Sequence, residues 1–346
     1  MKAYQLVGWQ QPPELRDVPV PEPGIGQVLI KVGGACACHT DLRVMQWPAG
    51  FHDYELPFTL GHENAGWIEA LGPGVEGWRV GDAVAVYGPW GCGRCAACRE
   101  GREMLCERTA TVDVPIGGFG RDGGMAEFML VPDARWLVPL GELDPREAAP
   151  LSDAALTPYH AIKSVLSLLT PGTQALVIGV GGLGHMAVQL LRAVSAAEVL
   201  AVDVGQAKLD FARGLGAGVT IAAGDSAAAE IREITHGLGA MAVFDCVGTE
   251  ETMRLAAAAA RAGGAVQVIG LAGGTLPFTY GTLPFGCSLT IPYWGSVTEL
   301  MEVLELARSG AVRAHTERFS LEHAAEAYAR LRAGDLLGRA VVTPQG

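Results

Sequence analysis

The pattern of apolar and polar positions changes character near residue 154. Before it the chain carries short β-like runs at residues 28–32, 65–70, 83–87 and 128–131. Turn signals such as Gly72-Pro73-Gly74 and Gly81-Asp82 separate them. Runs of that length predict an irregular antiparallel barrel or sandwich. A helix is expected to open at Thr157, with Thr157 as its cap and Pro158 in its first position, and to stop at Thr170-Pro171-Gly172. From residue 174 the pattern is strict alternation. Apolar runs at 175–178, 199–202, 219–222, 241–247 and 265–271 read as buried strands, with helical periods at 185–194, 207–215, 227–235 and 251–261 between them. That order predicts an α/β fold with a doubly wound parallel sheet. A strand at 288–294, amphipathic helices at 298–309 and 321–333, and a last strand at 339–343 complete the chain. The tail is expected to return to the first domain. Residues 1–153 and 293–346 would then form a mainly β domain, with residues 154–292 inserted into it.

The strand-to-helix turn at the head of the alternating part carries candidate chemistry. Gly179, Gly181 and Gly184 follow the 175–178 run in the order G-x-G-x-x-G, with Gly182 and Leu183 inside the loop. Glycines there allow a tight turn and a close approach of backbone to a pyrophosphate. The following helix offers unpaired N–H groups and a partial positive charge to it. The second strand ends at Asp203. A carboxylate at that distance accepts ribose hydroxyls and repels a 2′-phosphate, which favours NAD(H) over its phosphorylated form. Lys208, five residues on, is expected to support the same ribose, with an ordinary surface lysine as the alternative. A ligand-free turn is the structural alternative, and it leaves Asp203 unexplained.

Cysteine spacing adds a second feature. Cys92, Cys95, Cys98 and Cys106 stand as C-x2-C-x2-C-x7-C within a lobe at about residues 91–107. Four thiolates so spaced can close a tetrahedron around Zn²⁺ at roughly 2.3 Å per bond, with no position left for a substrate. Such a site is structural. A redox pair, an iron–sulfur centre and loose thiols are the alternatives. Cys36, Cys246 and Cys287 lie in apolar runs and read as small core residues.

Composition narrows the class. The 346 residues suffice for two domains, and the formal net charge is −12. An acidic chain excludes a nucleic-acid or anionic-membrane surface as the main partner, since both need a basic patch. There is no apolar run long enough to span a bilayer, and no signal-peptide core at the start. A cytoplasmic location is expected. In that reducing setting cysteines serve as metal ligands or buried thiols more often than as disulfides.

Cys38 in CACHTD, His62 and Glu63 in GHENAGW, and Asp153 in PLSDAALTPYH are ligand types that no spacing rule joins. With GHE, the four-cysteine lobe, VIGVGGLG at 177–184 and Thr40 after Cys38, the chain resembles the zinc-dependent medium-chain alcohol dehydrogenases over essentially its whole length. Asp153 and Pro292-Tyr293-Trp294 bring it nearest to their bacterial NAD-dependent secondary alcohol dehydrogenases. The resemblance implies a Rossmann domain inserted into a GroES-like catalytic domain. It implies two Zn²⁺ per chain, one structural and one catalytic. The catalytic ion would be held by Cys38, His62 and Asp153, with Glu63 as an anchor behind the ligands or an alternate ligand. Thr40 would start the proton relay. The family often continues that relay through a histidine where this chain has Arg43, and His39 is an alternative participant. Tyr54, Phe285, Tyr293 and Trp294 would surround the substrate, a small or aryl-bearing alcohol or ketone. Secondary alcohols with stereoselective turnover are the expectation. Polyol, amino-acid-hydroxyl or formaldehyde oxidation within the same class is the alternative, and a non-catalytic NAD-binding redox sensor is the remote one. The resemblance further implies a homodimer or homotetramer, with the apolar strand at 288–293 able to pair with a second copy.

Overall fold

The computed structural model describes residues 1–51, 54–108 and 115–346. The chain divides into two compact units. One comprises Met1–Asp153, Gly295–Arg308 and Thr316–Gly346; the other comprises Ala154–Trp294 and Ser309–His315.

The first unit contains strands β1 (Lys2–Leu6), β2 (Glu14–Asp17), β3 (Val28–Cys36), β4 (Phe58–Thr59), β5 (Asn64–Leu71), β6 (Ala83–Val86), β7 (Phe128–Val131) and β8 (Leu137–Pro139). The second contains β9 (Gln174–Ile178), β10 (Glu198–Asp203), β11 (Val219–Ala222), β12 (Ala240–Asp245), β13 (Ala260–Val268) and β14 (Ser288–Thr290). Strands β15 (Thr316–Phe319) and β16 (Arg339–Val342) belong to the first unit again. Helices α1 (His39–Val44), α2 (Ala96–Arg99) and α3 (Pro145–Ala148) lie in the first unit. Helices α4 (Leu156–Ser164), α5 (Gly184–Val194), α6 (Gln206–Leu215), α7 (Ala227–Ile234) and α8 (Glu250–Ala259) lie in the second. Helices α9 (Val297–Arg308) and α10 (Ala324–Ala333) return to the first.

In the first unit β2-β1-β4 form a small antiparallel sheet, and β15-β16-β3-β5-β6-β8 form a larger one with β7 also on β3. Strand β3 is its spine. Its sequence VLIKVGGAC is apolar almost throughout because all but one of its residues are buried. The expected antiparallel character holds except at the edge, where β15 and β16 run parallel. Helix α10 supplies the crossover that a parallel pair requires. Strands β1, β2, β4, β8 and β15 were not foreseen; β2 is exposed at every position, β15 is buried only at Phe319, and β4 and β8 have two and three residues, so none of these four presents a full apolar run.

The second unit is a six-stranded, wholly parallel sheet in the order β11-β10-β9-β12-β13-β14. That is the doubly wound arrangement expected from the alternation. Leu176, Ile178, Leu200, Val202, Val243 and Val266 form its core. Its inner strands read as unbroken apolar runs because helices cover both faces.

Several boundaries differ from expectation; α4 ends at Ser164 and a separate 3₁₀ turn follows at Leu166–Leu168, short of the expected stop at 170–172. Helix α4 begins at Leu156 after a 3₁₀ turn at Ala149–Ser152, and Thr157 does not cap it. Pro158 is tolerated there because the first-turn N–H groups have no helical partner to lose. Strand β14 stops at Thr290, well short of residue 294. Pro292 has no N–H to continue a ladder, and Trp294 is in the left-handed region at φ 55°.

Candidate active site and dinucleotide loop

Strand register assembles the candidate metal site. Ala35 of β3 stands opposite Asn64 of β5, and Cys36 N–H donates to Glu63 O at 3.0 Å. The residues just past the end of β3 therefore meet those just before β5, which brings Cys38 to His62 and Glu63. Antiparallel β16 pairs Val341 with Cys36, so its first residue, Arg339, points back along β3 towards Cys38. The 3₁₀ turn at Ala149–Ser152 packs on β3 and β5 and delivers Asp153.

Sulfur of Cys38, nitrogen of His62 and oxygen of Glu63 lie within 4.8 Å of one another. Asp153 Oδ2 is 3.5 Å from His62 Nε2, closer than Glu63 Oε1 at 3.8 Å. His62 Nδ1 meets Asp41 Oδ1 at 2.8 Å. A carboxylate only accepts, so the proton sits on Nδ1 and Nε2 is left as the ligand atom. Glu63 is fully buried and is gripped by the guanidinium of Arg339, whose Nε donates to Oε2 at 3.1 Å and whose Nη2 donates to Oε1. Burial alone would raise the Cys38 thiol. Arg339 and His62 overcome it and bring the thiol down to about 7. Two residues away, burial pushes the Cys36 thiol up instead, in keeping with a neutral core residue. The donor set is a readily ionised thiol, an imidazole that turns Nε2 towards the Asp153 and Glu63 carboxylates, and carboxylate oxygen. Those are zinc ligand types in a zinc-sized space.

Around this cluster Thr40 Oγ1 lies 3.5 Å from Cys38 Sγ, and Thr40 is half-buried in the first turn of α1. His39 and Arg43 are exposed. The ring of Phe119 stacks on His62 with centroids 4.6 Å apart. Tyr54 is half-buried over Gly120, with Trp47 6.1 Å and Phe58 6.4 Å from its ring. Phe119 was missed in the sequence because it stands in a glycine-rich stretch with no period.

The four cysteines also converge. Their sulfurs lie within 4.8 Å of one another, and Cys92 and Cys98 are 4.0 Å apart. A tetrahedron with bonds of roughly 2.3 Å has edges of roughly 3.8 Å, so the lobe fits Zn²⁺. Main-chain N–H groups of Cys92 and Arg94 point at Cys106 and Cys92 sulfur at 3.3 and 3.4 Å. The N–H of Arg94 is the first of several hydrogen bonds that hold the Cys92 thiol down to about 6.

In the second unit the loop after β9 is built for close approach. Gly179 has φ 84°, and a Cβ on Gly184 would stand 1.8 Å from Gly179 O, so the turn tolerates no side chain there. Gly181 is different: among the described residues a Cβ there would meet nothing within 4 Å. The fold does not need that glycine, and the open space above it is what a pyrophosphate would fill. Gly182 and Leu183 complete the loop, and Leu183 stands just before the first residue of α5 with no side-chain cap. Asp203 ends β10 and is buried, its Oδ2 accepting from Val180 N–H at 2.7 Å and its Oδ1 from Gly205 N–H at 3.1 Å. Each oxygen keeps a lone pair for a ribose hydroxyl. Lys208 stands in the first turn of α6, beside Gly205. His185, for which no partner was foreseen, is buried beneath the loop. Its Nδ1–H donates to Gly181 O at 3.0 Å and its Nε2 accepts from His315 N–H at 3.2 Å.

Of the remaining expected lining residues, Trp294 is buried and 6.1 Å from the Tyr293 ring. Phe285 is 76% exposed and lines a cavity of about 740 Å³ with Tyr280, Arg232 and Arg254. Its carbonyl accepts from Gly263 N–H, at the end of the parallel sheet opposite the glycine loop. Its aromatic spacing gave no hint of which sheet end it would occupy.

Two family models match the chain. One is described as the alcohol dehydrogenase GroES-like domain, over residues 24–142, and the other as zinc-binding dehydrogenase, over residues 182–308. The chain is 36% identical to D-arabinose 1-dehydrogenase (NADP(+)) of Saccharolobus solfataricus, covering 99% of this chain and 97% of that one. It is 37% identical to an NAD-dependent alcohol dehydrogenase of Sulfurisphaera tokodaii, covering 99% and 100%. The solved alcohol dehydrogenase of the archaeon Aeropyrum pernix superposes with a TM-score of 0.92 at 35% identity, over 99% of this chain and all of that one. Named relatives thus include archaeal alcohol and sugar dehydrogenases, and do not single out bacterial secondary alcohol dehydrogenases. Among the described residues no helix is long and apolar enough to cross a membrane.

Proposed function

Because the chain belongs to the zinc-binding alcohol dehydrogenase family, we propose that it oxidises small or aryl-bearing secondary alcohols, and reduces the matching ketones, with NAD(H). The observation that carries this reading is the mixed donor cluster of Cys38, His62 and carboxylate beside a ring wall. Cys38, His62 and Asp153 hold the reactive zinc. Glu63, whose charge is matched by Arg339, anchors the cluster from behind. A bound zinc supplies a Lewis acid that lowers the pKa of an alcohol, and NAD⁺ supplies the hydride acceptor. The alcohol's proton leaves through Thr40 Oγ1. Cys92, Cys95, Cys98 and Cys106 hold the second, structural zinc.

Phe119 and Tyr54 give the substrate side an apolar wall. A flat wall separates a large from a small substituent, which makes reduction of a prochiral ketone stereoselective. The carboxylate of Asp203 selects NAD(H) over NADP(H), and Lys208 supports the same ribose. A sugar or polyol is the second reading, since one full-length relative carries the name of a sugar dehydrogenase.

The test is a kinetic panel: matched primary and secondary alcohols, aldoses and polyols, each with NAD⁺ and NADP⁺, followed by chiral chromatography of the reduced ketone. Higher kcat/KM for secondary alcohols with NAD⁺ and one dominant enantiomer is expected. A preference for primary alcohols or aldoses, equal use of NADP⁺, or a racemic product defeats the assignment.

A homo-oligomer belongs to the same reading. Among the described residues strand β14 has a partner on one side only, and Phe278, Tyr280 and Ile291 around it are at least 70% exposed. An apolar free edge is a surface for a second copy. Light scattering that returns a monomer mass at micromolar concentration would remove that part of the proposal.

A further inference from the structure

Behind His62 runs a line of buried hydrogen bonds that the proposed reaction leaves unused. Asp41 is fully buried in the first turn of α1. Its Oδ1 holds His62 Nδ1 at 2.8 Å. Its Oδ2 accepts from the Cys38 N–H at 2.9 Å and from the Tyr328 hydroxyl at 2.9 Å. One carboxylate thus touches the side chain of one proposed ligand and the main chain of another. Tyr328 comes from α10, 287 positions along the chain, and is 3% exposed. Its ring stacks on Tyr4 with centroids 6.1 Å apart and an angle of 20°. The hydroxyl also lies 3.1 Å from Met125 Sδ, but thioether sulfur is a weak acceptor and the hydroxyl has one proton to give. That proton goes to Asp41. Burial, with the Asp41 charge beside it, holds the phenol well above its ordinary value, so it stays a donor.

An Asp side chain can turn about its last torsion, which is broad. Here the turn is blocked at both ends, by His62 on Oδ1 and by Tyr328 with Cys38 N–H on Oδ2. We propose that Tyr328 is a positioning residue for the reactive zinc, fixing the His62 ring and the Cys38 main chain through Asp41. The proposal rests on the assignment of that zinc to Cys38, His62 and Asp153. Without the hydroxyl, Oδ2 keeps a single donor and the imidazole gains freedom to swing. Groups that orient a metal-bound histidine typically govern metal affinity by 10–100-fold. Tyr328 stands one hydrogen bond further back, so its removal should speed metal release at the low end of that scale, about 5–10-fold.

The experiment follows zinc release from the purified holoenzyme to the chromogenic chelator 4-(2-pyridylazo)resorcinol. The phase belonging to the reactive zinc is identified as the one missing from Asp153→Ala. Tyr328→Phe keeps the ring packing and should speed that phase alone by about 5–10-fold, leaving the four-cysteine phase and the circular dichroism unchanged. Tyr4→Phe touches the same ring but not Asp41, and should release zinc like the wild type. Asp41→Asn should be faster still, and adding Tyr328→Phe to it should change nothing more. Release from Tyr328→Phe at the wild-type rate overturns the proposal. So does equal acceleration of both phases, which would mean general loosening, or full additivity with Asp41→Asn. A wild-type protein with one zinc per chain would instead defeat the underlying assignment, and is distinguishable from these by metal count alone.

Discussion

Mild acid should loosen the dinucleotide loop from beneath, and His185 sets the size of the effect. Burial holds its imidazole down to about 4, although the carbonyls of Gly181 and Gly182 pull the other way. In the unfolded chain it takes up a proton near pH 6.5. Between those values the unfolded state binds more protons than the folded state. Stability therefore rises with pH through this window and is lost as pH falls from about 6.5 towards 4. At 1.36 kcal/mol per unit of pKa, the loss at pH 5 is about 2 kcal/mol. The physical cause is plain: a protonated Nε2 would face the His315 N–H that it now accepts from. The assay is urea unfolding of wild type and His185→Gln at pH 7.5 and pH 5.0. Acid weakens the metal ligands in both proteins, so the readout is the difference between them. The wild type should lose about 2 kcal/mol more than the variant over that interval. The variant should also show a raised KM for NAD⁺, because Gly181 has lost its tie. Parallel losses in the two proteins would refute the reasoning.

Three further outcomes are expected. Gly181→Ala should leave the melting temperature within a degree or two of wild type, since a Cβ meets nothing there, and should raise KM for NAD⁺ about tenfold or more, of the order of one lost contact; steady-state kinetics with a thermal melt would show it, and an unchanged KM would empty the loop of its proposed ligand. Cys98→Ser should drop the structural zinc and lower the melting temperature, while residual kcat per correctly folded chain stays near wild type; two zincs per chain and an unshifted melt would contradict the closed site. Arg339→Met strands the buried Glu63 charge and removes the main influence lowering the Cys38 thiol, so it should cost roughly 3–5 kcal/mol; a loss under about 1 kcal/mol by denaturant titration would show that Glu63 finds its compensation elsewhere.

The parallel sheet was legible because strands buried on both faces must be apolar at every position, and runs such as ALVI at β9 have no other reading once helices separate them. The end of β14 was overrun although Pro292, which has no N–H for a ladder, stood in the sequence; only the left-handed conformation of Trp294 beyond it was hidden. The site divides in the same way. GHE, the cysteine lobe and the glycine loop are local in sequence, and each lies in one continuous segment. Asp41, Arg339 and Tyr328 are joined to them only by strand register and helix packing across as many as 287 positions. One signal was available: Asp41 stands three residues after Cys38, the N-cap of α1, where an acid can accept the cap's own N–H.

The central claim is that Cys38, His62 and Asp153 hold the reactive zinc, and the most direct measurement is metal content and turnover of Asp153→Ala. Zinc per chain is read by plasma mass spectrometry, NADH binding by fluorescence titration, and NAD⁺ reduction on a secondary alcohol. One zinc per chain, nearly complete loss of turnover and NADH affinity within about twofold of wild type, under 0.5 kcal/mol, are expected. Two zincs per chain with turnover retained would contradict the claim and move the third ligand to Glu63.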